Sequence, residues 1–258
     1  MKGFALVLLG VLLGMSSPVW AAETLRFVTE EFAPFNATED DRLVGPGIDV
    51  ARALCSGLGV DCTFEALPLR RAIEMVEAGK ADGVFSLAHT PDRDTTMRFT
   101  QPYIRSGYAF FTLKNQNHAA AMRQDFAGFT VAAYGPSGTY SSLEAVQHDV
   151  PSLQLVQEVA FETPFLKLIE GRYPEPAAVY ANWHVGLRWL QEHQVQNVTV
   201  SFPEKFIDYC YAFSRRSPEA QRHFAGFDAA LGAMRRDGRL LALISAYDFG
   251  EADLPPKE

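Results

Sequence analysis

The chain has 258 residues, of which 48% are hydrophobic and 21% are charged, and its formal net charge is −8. This composition supports a core of one or two folded domains. Because the chain is acidic and has no basic stripe, we expect it not to bind nucleic acid. The sequence contains no CxxC motif, no HExxH motif and no His/Asp cluster, so we expect neither a metal nor another cofactor.

The first 21 residues have the pattern of a secretory signal peptide. Lys2 precedes an apolar run over 4–15, and the small residues Val19 and Ala21 fit a cleavage site. The alternative is an uncleaved membrane anchor, although the run is short for a membrane span. We expect residues 1–21 to be removed on export to the periplasm, which leaves 22 basic against 31 acidic residues and a net charge of −9.

Strands and helices alternate along the remaining chain, which favours an α/β fold with a mostly parallel sheet covered by helices. The first predicted series consists of strand 24–29, helix 48–57, strand 62–66, helix 69–78 and strand 83–87. After the apolar run 107–113, the second series consists of strand 129–134, helix 141–146, strand 153–159, helix 164–170, strand 177–181 and helix 183–192. The last predicted elements are strand 209–214 and helix 218–236.

The most informative motif lies within residues 79–103. The buried strand 83–87 is ended by Thr90-Pro91, and Arg93 follows at once. A guanidinium at the carboxyl end of a strand, beside amides freed by a turn, suits a bidentate bond to a carboxylate. The alternative is a surface ion pair between Arg93 and one of the two aspartates that flank it, which would contribute little to stability.

The spacing of this motif resembles the family-3 extracellular solute-binding proteins, the polar-amino-acid receptors of bacterial ABC importers. Their pattern of G-x-x-D, a strand, T-x-x-R and F-S/T-x-P-Y is matched by Gly79, Asp82, Thr90, Arg93, Phe99, Thr100, Pro102 and Tyr103. The likeness extends to LRFVTEEFAPF near the start, to GPGIDVARALCSGLGV, and to FDAALGAMRRDGRLLALISAYDF near the end.

The resemblance implies a two-lobed receptor of the Venus-flytrap type. Each lobe would contain a mostly parallel sheet flanked by helices, and two strands would cross between the lobes as a hinge that closes on the ligand. We place lobe 1 at residues 22–112 and 211–258, and lobe 2 at residues 113–210.

Cys55 and Cys62 are expected to form a disulfide. They lie seven residues apart, one at the end of helix 48–57 and one at the start of strand 62–66, in a chain that meets an oxidising compartment. Histidine- and lysine/arginine-binding members of the family have a disulfide with this spacing, so the resemblance implies the same pairing here. Cys210 lies in an apolar, strand-like run and is expected to be a buried free thiol rather than a nucleophile.

The resemblance also places four further lobe-1 residues near the ligand. Phe32 would cover the ligand, with ordinary core packing as the alternative. Leu69 would form an apolar wall where many relatives have Trp, and Ser86 would offer a hydroxyl and a carbonyl. His89 stands where relatives have a small hydroxyl residue, and its alternative is a surface histidine in a turn.

In the second lobe, residues 134–140 link a strand to a helix and expose backbone amides. A helix amino end attracts a carboxylate, so Ser137 and Thr139 are expected at the ligand. Both residues also suit helix caps, and the two roles are compatible.

Asn182 departs from the family pattern. Amino-acid receptors carry an aspartate after this strand, and that aspartate pairs with the ligand ammonium. Asn182 is expected at the ligand but lacks the charge, so a small polar carboxylate describes the ligand better than a standard α-amino acid, unless Glu30, Glu31 or Glu162 supplies the charge.

The expected function is therefore capture of a small carboxylate-bearing ligand in the periplasm, without catalysis. A monomeric receptor would deliver the ligand to an ABC permease or report it to a membrane sensor. The alternative is an enzyme that resembles the cyclohexadienyl dehydratases of the same fold, in which His89 would act with Glu30 or Glu31 as a general acid.

Overall fold

Strands and helices alternate through the computed structural model, which describes residues 23–116 and 120–256. The predicted leader, residues 1–21, lies outside the described residues. The strands of the described part are β1 (Thr24–Thr29), β2 (Ala37–Glu39), β3 (Arg42–Val44), β4 (Asp61–Ala66), β5 (Gly83–Ala88), β6 (Met97–Phe99), β7 (Ile104–Leu113), β8 (Thr130–Tyr134), β9 (Gln154–Glu158), β10 (Ala177–Asn182) and β11 (Val198–Ser214). The α-helices of the same part are α1 (Pro46–Leu58), α2 (Leu69–Glu77), α3 (Gly138–Asp149), α4 (Glu162–Ile169), α5 (Trp183–Glu192), α6 (Pro218–Arg236) and α7 (Arg239–Ser245).

Nine strands form one sheet in the order β4-β1-β5-β11-β7-β10-β8-β9, with β6 added on β11, while β2 and β3 form a separate hairpin. At one end β1 pairs in parallel with β4 and β5. At the other end β8 pairs in parallel with β9 and β10. These two parallel sets belong to the two lobes, and the α/β fold class predicted from the sequence is confirmed.

The antiparallel strands β7 and β11 cross between the lobes, as expected. In β7, Tyr108 is the first residue to pair with β10 of lobe 2. In β11, pairing with β5 of lobe 1 starts at Tyr209. The lobe bounds at 112 and 210 stay a prediction, and the strand pairing changes lobe at Tyr108 and Tyr209.

Helix α1 shows how the sequence fixes an element of lobe 1. Pro46 occupies its first turn, where the missing N–H is not needed. Gly45 before it has φ 126, and a Cβ there would come within 2.4 Å of the Phe35 carbonyl oxygen. Gly59 ends the helix in the left-handed conformation, with φ 68.

The predicted disulfide is confirmed. Cys55 near the end of α1 is bonded to Cys62 in β4, with Cα atoms 6.2 Å apart. Cys210 is free and buried in β11. Burial raises the pKa of its thiol to about 12, so the thiolate needed for nucleophilic chemistry is disfavoured.

The core follows the sheet through both lobes. In lobe 1, aromatic rings from β1, β5, β11 and α6 form one cluster that includes Phe27, Phe85, Tyr211, Phe213 and Phe227. At the lobe-2 end of the sheet, Phe110 and Phe111 of β7 belong to two different clusters, because successive residues of a strand point to opposite faces. Full burial of one such ring contributes roughly 1.5–3 kcal/mol relative to exposure.

Candidate ligand-binding site

A cavity of about 720 Å³ is formed by residues of both lobes. Its walls include residues at or just beyond the carboxyl ends of β1 and β5 in lobe 1 and of β8 and β10 in lobe 2, which is where α/β sheets bind ligands. Seven of the eight predicted contact residues line it: Phe32, Leu69, Ser86, Arg93, Ser137, Thr139 and Asn182. Their contacts with a ligand remain predictions.

Arg93 opens the short 3₁₀ helix Arg93–Thr95 just after β5. Its Nη1 donates to the carbonyl oxygen of Ala88 at 2.7 Å, which fixes the guanidinium at the end of the strand. Within the described residues it forms no ion pair with either flanking aspartate. Burial lowers the pKa of Arg93, while the negative charges of Glu77 and Glu30 raise it. The guanidinium therefore keeps N–H donors for an acidic ligand.

Glu30 directly follows β1 and lines the same cavity. Its carboxylate is partly buried and accepts no hydrogen bond from any residue between 23 and 116 or between 120 and 256. Burial raises the pKa of Glu30, and the positive charge of Arg93 opposes this by lowering it. A desolvated carboxylate without a partner favours a cationic group beside it.

His89 is the predicted residue that does not line this cavity. It is exposed, and its Nε2 lies 2.8 Å from Oδ2 of Asp94. The ring instead lines a second, wider opening that also contains Ala88 and Tyr108. The turn after β5 directs the ring to Asp94, as in the surface alternative. Contact of His89 with a ligand stays a prediction. His89 and Glu30 line different openings.

Ser86 lines the cavity but uses its hydroxyl inside the protein. Its Oγ donates to Oδ1 of Asn36 at 3.0 Å and lies 2.6 Å from the Tyr103 hydroxyl. The residue has φ 57 within β5, opposite an irregularity in β11, and such strain costs on the order of 1–3 kcal/mol. The strain lies where the strand meets the cavity, and the hydroxyl proton of Ser86 is already used within the protein.

The amino end of α3 forms the lobe-2 wall opposite Arg93. Ser137 caps the helix: its Oγ accepts from the amide of Tyr140 at 3.1 Å and donates to the carbonyl of Tyr134 at 2.6 Å. The Thr139 hydroxyl hydrogen-bonds Tyr108, whose pKa is raised by burial. The capping alternative is thus realised for Ser137, and the first amides of α3 remain oriented for an anion.

Asn182 is the cap of α5 and is 4% exposed. Its Oδ1 accepts from the amides of His184 and Val185 at 3.1 and 3.2 Å, and from the Ser106 hydroxyl at 3.1 Å. Its Nδ2 donates to the Tyr209 hydroxyl at 3.3 Å. The side chain is therefore engaged within the protein, which the sequence departure did not reveal.

Phe32 and Leu69 form part of the lobe-1 wall. Phe32 stacks on Phe35 with centroids 4.9 Å apart and meets Tyr209 edge-on at 5.8 Å. Phe35 is fully buried, whereas Phe32 is partly exposed toward the cavity. Phe32 thus combines the two interpretations of the sequence, cavity wall and core packing.

The chain matches the family described as bacterial extracellular solute-binding proteins, family 3, over residues 25–251. It belongs to this family. The ABC transporter arginine-binding protein 1 of Escherichia coli (strain K12) is 25% identical over 240 residues, which cover 90% of this chain and 94% of the relative.

Solved structures of other solute-binding proteins have the same two-lobed fold. An ancestral arginine-binding protein bound to arginine is 25% identical, with a TM-score of 0.67 and coverage of 87% of this chain and 97% of its own. The L-cystine solute receptor of Neisseria gonorrhoeae, in the unliganded open conformation, has a TM-score of 0.68 at 22% identity, over 87% and 92% of the two chains. This second likeness concerns the fold alone.

Several aromatic residues of the cavity in this solute-binding protein have no local sequence motif that marks them as cavity residues. Tyr108, Tyr209, Phe161, Phe165 and Trp189 all line it. The strand pattern signals Tyr108 and Tyr209 only as sheet residues, and Phe165 and Trp189 have the spacing of ordinary core positions. The family match gives no residue-level signal for them.

No helix among residues 23–116 and 120–256 has the length and apolarity to cross a membrane. In the same ranges no group of three or more His, Cys, Asp or Glu side chains is arranged to hold a metal ion.

Proposed function

We propose that this solute-binding protein captures a small molecule that carries both a carboxylate and a cationic group, and closes its two lobes around it. Arg93 binds the carboxylate, and Glu30 binds the cation. One observation carries the proposal: Glu30 and Arg93 line the same cavity with opposite charges, and neither is neutralised by an ion pair among the described residues. The other cavity arginine, Arg188, pairs with Glu192 at 2.5 Å.

The carboxylate is held from both lobes in this proposal. Arg93 approaches from lobe 1, and the amides at the start of α3, behind Ser137 and Thr139, approach from lobe 2. Because these contacts are complete only when the lobes meet, the ligand binds the closed form better than the open form and shifts the equilibrium toward closure. The crossing strands β7 and β11 carry the hinge.

Glu30 takes the part that the family assigns to an aspartate after β10. Asn182 stands at that place, and its side-chain oxygen caps α5. The arginine-binding names of two relatives support a ligand with a carboxylate and a cation, because arginine carries both.

The proposal includes the setting of the protein. The leader at residues 1–21 directs export, and the mature monomer works in the periplasm with an ABC permease or a membrane sensor, releasing its ligand chemically unchanged. We include the membrane sensor as a possible partner because a histidine kinase sensor domain has the same fold, with a TM-score of 0.71 at 18% identity. We propose lobes at 22–112 with 211–258, and at 113–210.

The test is a thermal unfolding screen with three probes. L-Arginine carries both groups, agmatine lacks the carboxylate, and pentanoate lacks the cation. A ligand at 100 times its dissociation constant stabilises by about 2.7 kcal/mol. We expect L-arginine to raise the unfolding temperature and neither analogue to do so at equal concentration. Equal stabilisation by agmatine and L-arginine would contradict a role for the carboxylate.

A further inference from the structure

The cavity continues beyond Asn182 along helix α5. The α5 residues that line it are Val185, Arg188, Trp189 and Glu192, which follow one another at helical spacing and so share one face. Trp189 is seven residues beyond the cap, or about 10 Å along the helix axis. The cavity thus extends well past the charged groups at Arg93 and Glu30.

Helix α4 packs beside α5 along this extension. Phe161, Pro164 and Phe165 line it from α4 and the residue before it. The rings of Phe161 and Phe165 are 5.8 Å apart, and Phe165 stacks on Trp189 at 5.1 Å with planes 23° apart. We call Phe161, Pro164, Phe165, Val185 and Trp189 the aromatic annex.

The annex has an apolar floor and no unpaired charge. Phe165 is 0% exposed and Trp189 is 6% exposed, while Phe161 and Val185 are partly exposed. The two charged residues on this face of α5 pair with each other at the rim. Surfaces of this kind favour apolar or aromatic groups, and they do not favour a second charged group.

The size of the cavity agrees with a ligand larger than its charged head. Its volume of about 720 Å³ lies within the range of about 300–1,000 Å³ that is typical of pockets for drug-sized molecules. Trp189 also retains a buried indole N–H for which no residue of the described part provides an acceptor. The aromatic annex is continuous with the proposed charged site, so a single molecule reaches both.

We propose that the aromatic annex binds an apolar or aromatic extension of the ligand whose carboxylate and cation lie at Arg93 and Glu30. The ligand class is an amino acid that bears a long apolar or aromatic substituent. This inference rests on the proposed function, which places the carboxylate and the cation of the ligand. It adds that the aromatic annex selects ligands by their apolar or aromatic substituent.

Two probe pairs test the inference by calorimetry. L-Homophenylalanine is compared with L-alanine, and O-benzyl-L-serine with L-serine, because the first member of each pair adds an aromatic group while both members keep the α-carboxylate and the α-ammonium. Burial of that group in the aromatic annex is expected to tighten binding about tenfold or more in at least one pair. Phe161→Ala is expected to remove most of that gain while the shorter probe keeps its affinity. Leu187→Ala, on the same helix but outside the cavity, is the control.

A fluorescence readout tests where the aromatic group of the ligand lies. In residues 22–258, Trp183→Phe leaves Trp189 as the remaining tryptophan. At saturation, both members of a pair close the lobes, so the difference between their effects on Trp189 emission reports the aromatic group itself. We expect a larger emission change with the aromatic member. Identical emission changes within both pairs would overturn the inference.

The outcomes separate this inference from the proposed function. If the shorter probes bind through Arg93 but neither aromatic group adds affinity, the annex is refuted and the proposed function stands. If the aromatic probes bind tightly and Arg93→Ala leaves them unaffected, the charged head is refuted and the annex stands. If no member of either pair binds, both are refuted.

Discussion

Among single residues, Asn182 departs from the family pattern in charge while its side chain keeps a structural role. Its carbonyl oxygen caps α5 through two amides and also accepts from Ser106. An aspartate satisfies the same donors, so the departure concerns charge rather than shape. In the proposed function, the carboxylate that binds the cation of the ligand is therefore Glu30 rather than a residue at position 182.

The first prediction concerns the stability of Asn182 variants. Asn182→Ala removes a helix cap and leaves the buried hydrogen-bond partners of Asn182 unpaired. The free energy of unfolding should therefore fall by about 2 kcal/mol. Asn182→Asp keeps the acceptor and should lose less. Urea denaturation measures both, with Asn115→Ala as the exposed control. An Ala variant as stable as wild type would contradict the capping role.

The second prediction concerns Glu30 and pH. Burial raises the pKa of Glu30 in the folded protein above its unfolded value. The ligand-free protein therefore gains unfolding free energy from Glu30 at pH values below the ordinary carboxyl pKa. That gain is lost as the pH rises through the raised pKa. Ionised Glu30 attracts a cation, so affinity for L-arginine should fall as pH is lowered from about 7 to about 5.

The Glu30→Gln variant tests whether ionised Glu30 causes this pH dependence of binding. The variant should bind L-arginine about tenfold or more weakly at about pH 7, because it loses a charge-assisted bond, and it should show a flatter pH profile. It should also be at least as stable as wild type without ligand. A variant that keeps the pH dependence of wild type would assign the titration to another group.

At the scale of elements, the disulfide joins the end of α1 to β4 and closes a short loop. The third prediction is that the Cys55→Ser, Cys62→Ser double variant loses about 2.5 kcal/mol of unfolding free energy, the chain-entropy value for a loop of this length. Chemical denaturation measures the loss, and Cys210→Ser, which leaves the bond intact, is the control. Equal stability of the double variant and wild type would contradict the prediction.

Many of the helices and strands can be predicted from the sequence. The bounds of β1, α5 and α6 are those predicted. Apolar residues on either side of Arg26 mark β1, an Asn cap marks the start of α5, and a Ser-Pro start marks α6. The first part of β11 was not predicted, because Pro203 and the charged residues after it interrupt the apolar pattern. Its pairing partner, β7, holds that segment in the sheet.

The cavity was predicted less completely than the fold, and for a different reason. Arg93 is marked by a local motif, so its place could be predicted. The direction of His89 depends on the turn after β5 and on Asp94, which no local pattern specifies. Phe165 and Trp189 serve the core and the cavity at once, so their apolar spacing predicts only the first role.

At the scale of the whole molecule, two lobes joined by β7 and β11 suit a receptor that closes on its ligand. The fourth prediction is that saturating L-arginine reduces the radius of gyration in small-angle X-ray scattering, because the closed form gains contacts from both lobes. The Arg93→Ala variant should stay at the ligand-free value. A radius that does not change while calorimetry reports binding would contradict closure.

The central claim is that Arg93 holds the carboxylate of a ligand in the cavity formed by the two lobes. Titration calorimetry with L-arginine on wild type and Arg93→Lys tests it most directly, because lysine keeps the charge and loses the planar fork. We predict that binding weakens by about 1.5–3 kcal/mol in Arg93→Lys and further in Arg93→Ala. Arg70→Ala, whose side chain is 92% exposed, should bind as wild type does. Unchanged affinity in both Arg93 variants would contradict the claim.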